Sequence, residues 1–136
     1  MSATTGLNET AAASAIDQII SGGADVRLLG TDPDYDDGAT ELSTKEISGS
    51  GYTAQTVAEI DWTVTPDAIA GTSTLTNDNE IDFGQAGDNW GEIRAIVIDG
   101  GGGAFIRADE PTNPDVTTGA EVSVPPGGIE YTLGNN

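Results

Sequence analysis

Asp32, Asp34 and Asp36 alternate within Thr31-Asp-Pro-Asp-Tyr-Asp-Asp-Gly, the D-x-D-x-D spacing with which calcium loops begin. Closely spaced carboxylate oxygens can replace the hydration shell of a hard cation. The pattern then departs from such a loop. Asp37 stands where glycine is needed, Gly38 comes one residue late, and Ser43 replaces the closing bidentate glutamate. These aspartates are expected to form a solvated acidic loop. Calcium, sodium or potassium would bind there only adventitiously, and no cofactor is expected. Asn77-Asp78-Asn79-Glu80 with Asp82 reads the same way. Trp62 and Trp90 could offer flat faces to a sugar, but their strand-like flanks favour packing in a core or between subunits.

What the chain lacks narrows its chemistry further. It has no Cys and no His. Disulfides, thiolate metal sites, the usual zinc ligand, the usual general base near neutral pH and a Ser-His-Asp triad are therefore excluded. Pairs of carboxylates can be nominated anywhere in so acidic a chain, and none stands in an apolar setting that would raise one pKa. An enzyme is disfavoured. Gly100 to Gly103 would cradle a phosphate only with a helix N-terminus following and usually a lysine, and both are missing. After Asp99 the run reads instead as a hairpin turn.

The 136 residues hold 23 acidic and four basic side chains, Arg27, Lys45, Arg94 and Arg107, for a formal charge of −19. Such a surface repels nucleic acid and anionic membranes, so neither direct nucleic-acid binding nor membrane insertion is expected. No apolar run reaches the length of a signal core or a membrane span, so the protein is expected to stay in the cytoplasm where it is made. A strongly acidic chain poor in aromatics can remain disordered. Against that stand several short β-branched and aromatic segments bounded by Gly, Pro, Asn and Asp. At molar salt the Debye length is roughly 3 Å, so a folded acidic surface repels itself little and stays hydrated. The composition suits brine.

Stepping along the chain, Asn8 can cap a helix running to about Ile20, with Gly22-Gly23 as its left-handed stop. Ala12, Ile16, Ile19 and Ile20 share one stripe. That face either docks on the protein's own sheet or meets a neighbouring subunit, and with Trp90 it supplies the candidate interface residues. Strands are expected at Val26–Leu29, Tyr52–Ile60 with continuation through Trp62 and Val64, Glu80–Phe83, Ile93–Ile98, Ala104–Arg107, Glu121–Val124 and Ile129–Leu133. Ile93–Ile98 is apolar on both faces and should be central. The expected fold is all-β, a jelly-roll-like β-sandwich of about seven short strands. Residues 1–23 form an N-terminal helical segment and 24–136 the sandwich, together one globular unit.

Five segments in order resemble a family of small tailed-phage virion proteins, described as tail-fibre-like or head-fibre-like. They are Leu28-Leu29-Gly30-Thr31-Asp32-Pro33, Glu46-Ile47-Ser48-Gly49-Ser50-Gly51-Tyr52, Asn79-Glu80-Ile81-Asp82-Phe83, Asn89-Trp90-Gly91 through Asp99-Gly100, and Thr118-Gly119-Ala120-Glu121-Val122 with Pro126-Gly127-Gly128-Ile129-Glu130-Tyr131-Thr132-Leu133. Thr53-Ala54 departs from the family, which tends to have Ala-Arg there. The resemblance implies a non-catalytic β-sandwich of the virion. With the acidic composition it points to a tailed virus of haloarchaea. The implied role is a capsid turret or head-fibre base, assembling with copies of itself and other virion proteins; the alternative is a tail, baseplate or tail-fibre part. Contact with a host surface glycan or protein is a further expectation. A carbohydrate- or ion-binding sandwich module outside any virus is the second alternative, motivated by Trp62, Trp90 and the aspartate loop.

Overall fold

Asn8 opens the first helix as expected, its Oδ1 accepting the N–H of Ala11 at 2.9 Å. This helix, α1 (Glu9–Ile20), ends at Gly22 and Gly23, both at positive φ. The structure, a computed structural model, describes residues 7–101, 104–109 and 112–134, without the side chains of 108 and 109. Strands follow as β1 (Ala24–Leu29), β2 (Gln55–Val57), β3 (Trp62–Asp67), β4 (Thr72–Asn77), β5 (Ile81–Gln85) and β6 (Gly91–Glu92). The remainder are β7 (Ala95–Gly101), β8 (Ala104–Asp109), β9 (Asp115–Val116), β10 (Glu121–Val124) and β11 (Glu130–Gly134). A second helix, α2 (Ala39–Lys45), lies between β1 and β2.

The protein is all-β and sandwich-like, with every pairing antiparallel. One sheet has the order β2-β1-β7-β8 and another β11-β4-β3, while β10-β5 and β6-β9 are two-stranded. A single large core joins them through Val26, Leu28, Ile98, Leu75, Phe83, Trp62, Trp90 and Ile129. α1 packs on β3, β4 and β11 and also reaches β7 and β8. Its stripe thus closes the sandwich from within: Ala12, Ile16 and Ile20 are buried and Ile19 is half-buried.

β7 is central, as its two apolar faces require. Val26, Ile98 and Ile106 align across β1, β7 and β8 towards the main core. On the opposite face Leu29, Ala95 and Val97 form a smaller core under Leu42 of α2, with Phe105 against it.

Several elements differ from the sequence expectation. There are eleven strands among the described residues, not about seven. β4 was not anticipated, because its inward positions are Ser73, Leu75 and Asn77, and two polar residues hide the alternation. Both are satisfied inside: Ser73 Oγ donates to the Glu9 carbonyl at 2.7 Å, and Asn77 Nδ2 donates to the carbonyls of Asn79 and Pro125. Asn77 Oδ1 accepts from Ile129 N–H, so this side chain pins the Pro125–Gly128 reversal rather than facing solvent. The Tyr52–Ile60 strand shrinks to β2 and a 3-10 turn at Glu59–Asp61. α2 falls in a stretch to which the sequence assigned no element, since a seven-residue helix with one buried side chain has no periodicity to detect.

Two bulges shape the sheets. β5 and β10 slip register around Phe83, and β7 and β8 slip around Gly100. In each an aspartate two residues earlier in the Asp-x-Gly sequence accepts the glycine N–H, Asp82 from Gly84 at 2.7 Å and Asp99 from Gly101 at 2.8 Å. Gly84 and Gly101 both have positive φ, which a side chain would resist.

Candidate functional site: the charged face of the four-stranded sheet

All four basic residues gather on or around the outer face of the β2-β1-β7-β8 sheet. Arg27, Val97 and Arg107 stand side by side across β1, β7 and β8, and Asp25 lies directly opposite Asp99 in the next row. Facing like charges would repel. Arg27 resolves this by donating to Asp99 at 3.0 Å and Asp25 at 3.1 Å, and to Glu46 at 3.3 Å. Burial opposes its charge, but the hydrogen bonds to Asp99 and Glu46 prevail and raise its pKa.

Tyr52 completes this cluster from below. Its hydroxyl donates to Glu46 Oε2 at 2.5 Å and accepts the N–H of Leu28 at 3.0 Å. β2 pairs with β1 only as far as Val26, so the hydroxyl supplies the acceptor that a longer strand would have given Leu28. Ile47 N–H then bonds the Leu28 carbonyl at 2.9 Å. Burial, followed by the bond to Glu46, pushes the Tyr52 pKa well above the ordinary phenol value.

The acidic loop divides its aspartates between two tasks. Asp32 is held by Arg94 and Arg107, each at 3.2 Å, and Arg107 also donates to the Pro33 carbonyl at 3.3 Å. Asp34, Asp36 and Asp37 bring their carboxylates within 4.8 Å of one another. Asp32 therefore stands apart from the aspartates with which it alternates in sequence, and Asp37 takes its place in the cluster. Lys45 of α2 supplies positive charge there, reaching Asp37 at 2.5 Å and Asp34 at 3.3 Å. Its hydrogen bond holds the Asp37 carboxyl below the usual carboxylate range and raises Lys45 itself. The pairing of Asp37 with Lys45 was not legible in the sequence, because their meeting depends on α2.

The other nominated residues lie in the core. Ala12, Ile16 and Ile20 are at most 3% exposed, and Trp90 is 7% exposed. Of the two readings of this face, docking on the protein's own sheets is the one these side chains follow: the four are buried there and Ile19 is half-buried. Trp90 donates from Nε1 to the Ser50 carbonyl at 2.9 Å and meets Tyr52 edge-on, with ring centroids 5.6 Å apart. Trp62 is 6% exposed, so neither indole presents a face on which a sugar could stack.

Tyr52 also stacks on Phe83 at 6.1 Å. Three segments distant in sequence thus meet in one aromatic cluster. Gly51 allows the approach: it has positive φ, and a Cβ there would come within 2.8 Å of the Gln85 carbonyl. Gly49 has the same role beside the indole, where a Cβ would lie 2.2 Å from Trp90 Cδ1. The chain has no match among family models, curated proteins or solved structures.

Proposed function

We propose that the chain is a non-enzymatic structural protein of the virion of a haloarchaeal tailed virus, forming part of a capsid turret or head-fibre base. The observation that carries this reading is the convergence of Gly51-Tyr52, Phe83 and Trp90 from three segments of the resemblance into one buried cluster. Spacing shared with a family means most when the spaced residues form one physical unit, as these do. They act as a framework signature, which suits a part that assembles.

Assembly with further copies of the chain would use strand edges, since the α1 stripe is already covered. β8 ends the four-stranded sheet and, among the described residues, pairs only with β7. A groove of about 700 Å³ opens beside it, lined by Ile19, Tyr35, Phe105, Ile106, Arg107 and Tyr131. Unprotected edges invite strand pairing. β3, the outer strand of the three-stranded sheet, carries Pro66, which cannot donate to an added strand. The test is mass spectrometry of purified virions with electron microscopy of the particles. Expected is a repeated density of this fold at the head. Density in the tail would move the protein to the alternative role, and absence from particles would remove the virion reading.

A further inference from the structure

We infer that residues 31–46 form an ion-clamped strap over the outer face of the four-stranded sheet, one that molar salt loosens while tightening the sandwich beneath it. The strap comprises the acidic loop and α2. Its ends are pinned by backbone bonds, Gly30 N–H to the Lys45 carbonyl and Ile47 N–H to the Leu28 carbonyl, both 2.9 Å. Between these pins α2 buries only Leu42, against Leu29, Ala95, Val97 and Phe105. Ion pairs make most of the remaining side-chain attachments, Asp32 to Arg94 and Arg107 and Glu46 to Arg27, beside the buried Pro33 and the hydrogen bond from the Tyr52 hydroxyl to Glu46. Lys45, bound to Asp34 and Asp37, ties the loop to the helix.

The two parts answer salt with opposite signs because they differ in what their charges do. The strap carries six carboxylates and one ammonium, and the whole chain is strongly acidic, so long-range repulsion opposes its seating at low salt. That repulsion is already cut at about 0.1 M, where the Debye length is roughly 10 Å. The contact pairs are different. Attractions over some 3 Å survive until the Debye length falls to about that distance, near 1 M, and these pairs are partly exposed and so open to screening. Above that point the strap loses attraction and gains little further relief from repulsion. The sandwich owes its cohesion to a large apolar core, which potassium chloride does not weaken, and self-repulsion is the charge term that salt removes from it. Outward movement of the strap would uncover Leu29, Ala95, Val97 and Phe105, a device by which brine exposes an apolar sheet face.

Residue-resolved amide hydrogen exchange on the full chain tests this across about 0.3 to 3 M potassium chloride, the range in which contact pairs become screened. Expected is a fall of about tenfold in protection at Leu42 and Glu46, whose N–H groups bond the Gly38 and Leu42 carbonyls, with unchanged or rising protection at Leu75 in β4. Protection that rises together at all three sites, or does not change at Leu42 and Glu46, overturns the inference. Lys45→Met provides a second arm at the lower salt concentration. It should lower protection at Leu42 and Glu46 and leave Leu75 as in the parent; equal losses at all three would show that the strap does not open separately and would overturn the inference as well.

Discussion

The backbone of Gly100 lies against the last turn of α1, so close that a methyl group on it would come within 2.5 Å of the Ile19 carbonyl oxygen. The β7–β8 bulge places it there, and the contact ties the N-terminal helix to the central strand of the opposing sheet. Gly100→Ala should force α1 and β7 apart and cost roughly 1–3 kcal/mol, as overpacking does. Denaturant unfolding of the variant would measure it, and parental stability would mean that the helix end yields freely.

The same seating makes α1 part of the core. Ile16 is 1% exposed, so Ile16→Ala should cost about 2–5 kcal/mol in the isolated protein, the range for truncating a buried aliphatic side chain. A variant that melts like the parent but fails to enter particles would reverse this and return the helix to an interface.

The two tryptophans should respond differently to the same change. Trp62 Nε1 is buried without a hydrogen-bond partner among the described residues, whereas Trp90 Nε1 bonds the Ser50 carbonyl. Trp62→Phe removes an unsatisfied donor together with some volume and should cost less than about 1.5 kcal/mol. Trp90→Phe removes one of the two donors to the Ser50 carbonyl, which keeps the Gly87 N–H at 2.8 Å, and opens space beside Gly49, so it should cost more, roughly 1–3 kcal/mol. Paired chemical melts would decide the order, and equal losses would count against it.

Tyr52 sets an alkaline limit. Its hydroxyl is held neutral in the fold, with a pKa raised by burial and by Glu46. The unfolded chain ionises this group at about pH 10, so the stability it contributes is complete below that pH and declines as pH rises further. Tyr52→Phe should remove this part of the alkaline decline. It should also cost about 1–3 kcal/mol near neutral pH, because Leu28 N–H loses its acceptor. Melting the parent and the variant between about pH 8 and pH 12 checks both parts.

Global stability should rise with salt. With a formal charge of −19, the folded chain repels itself until counterions screen it, so the melting midpoint should climb between low and molar potassium chloride. A flat response in calorimetry would remove the brine reading.

The sequence by itself determined the features that rest on local chemistry. Asn8 and the Gly22-Gly23 pair bound α1, apolar residues on both faces of Ile93–Ile98 made β7 central, and β8 pairs antiparallel with β7 as the glycine run after Asp99 suggested, though Gly102 and Gly103 of that run lie outside the described residues. Each is a near-neighbour preference that the chain expresses wherever it sits. Only the tertiary structure decided where the polar residues went. Ser73 and Asn77 point inward because distant carbonyls and an N–H satisfy them there, which hid β4 from any hydrophobic pattern. Asp32 left its alternating partners because Arg94 and Arg107 reach it from chain positions more than sixty residues away. Apolar burial is written into periodicity, while a charge or a hydrogen bond takes its meaning from a partner that folding brings to it.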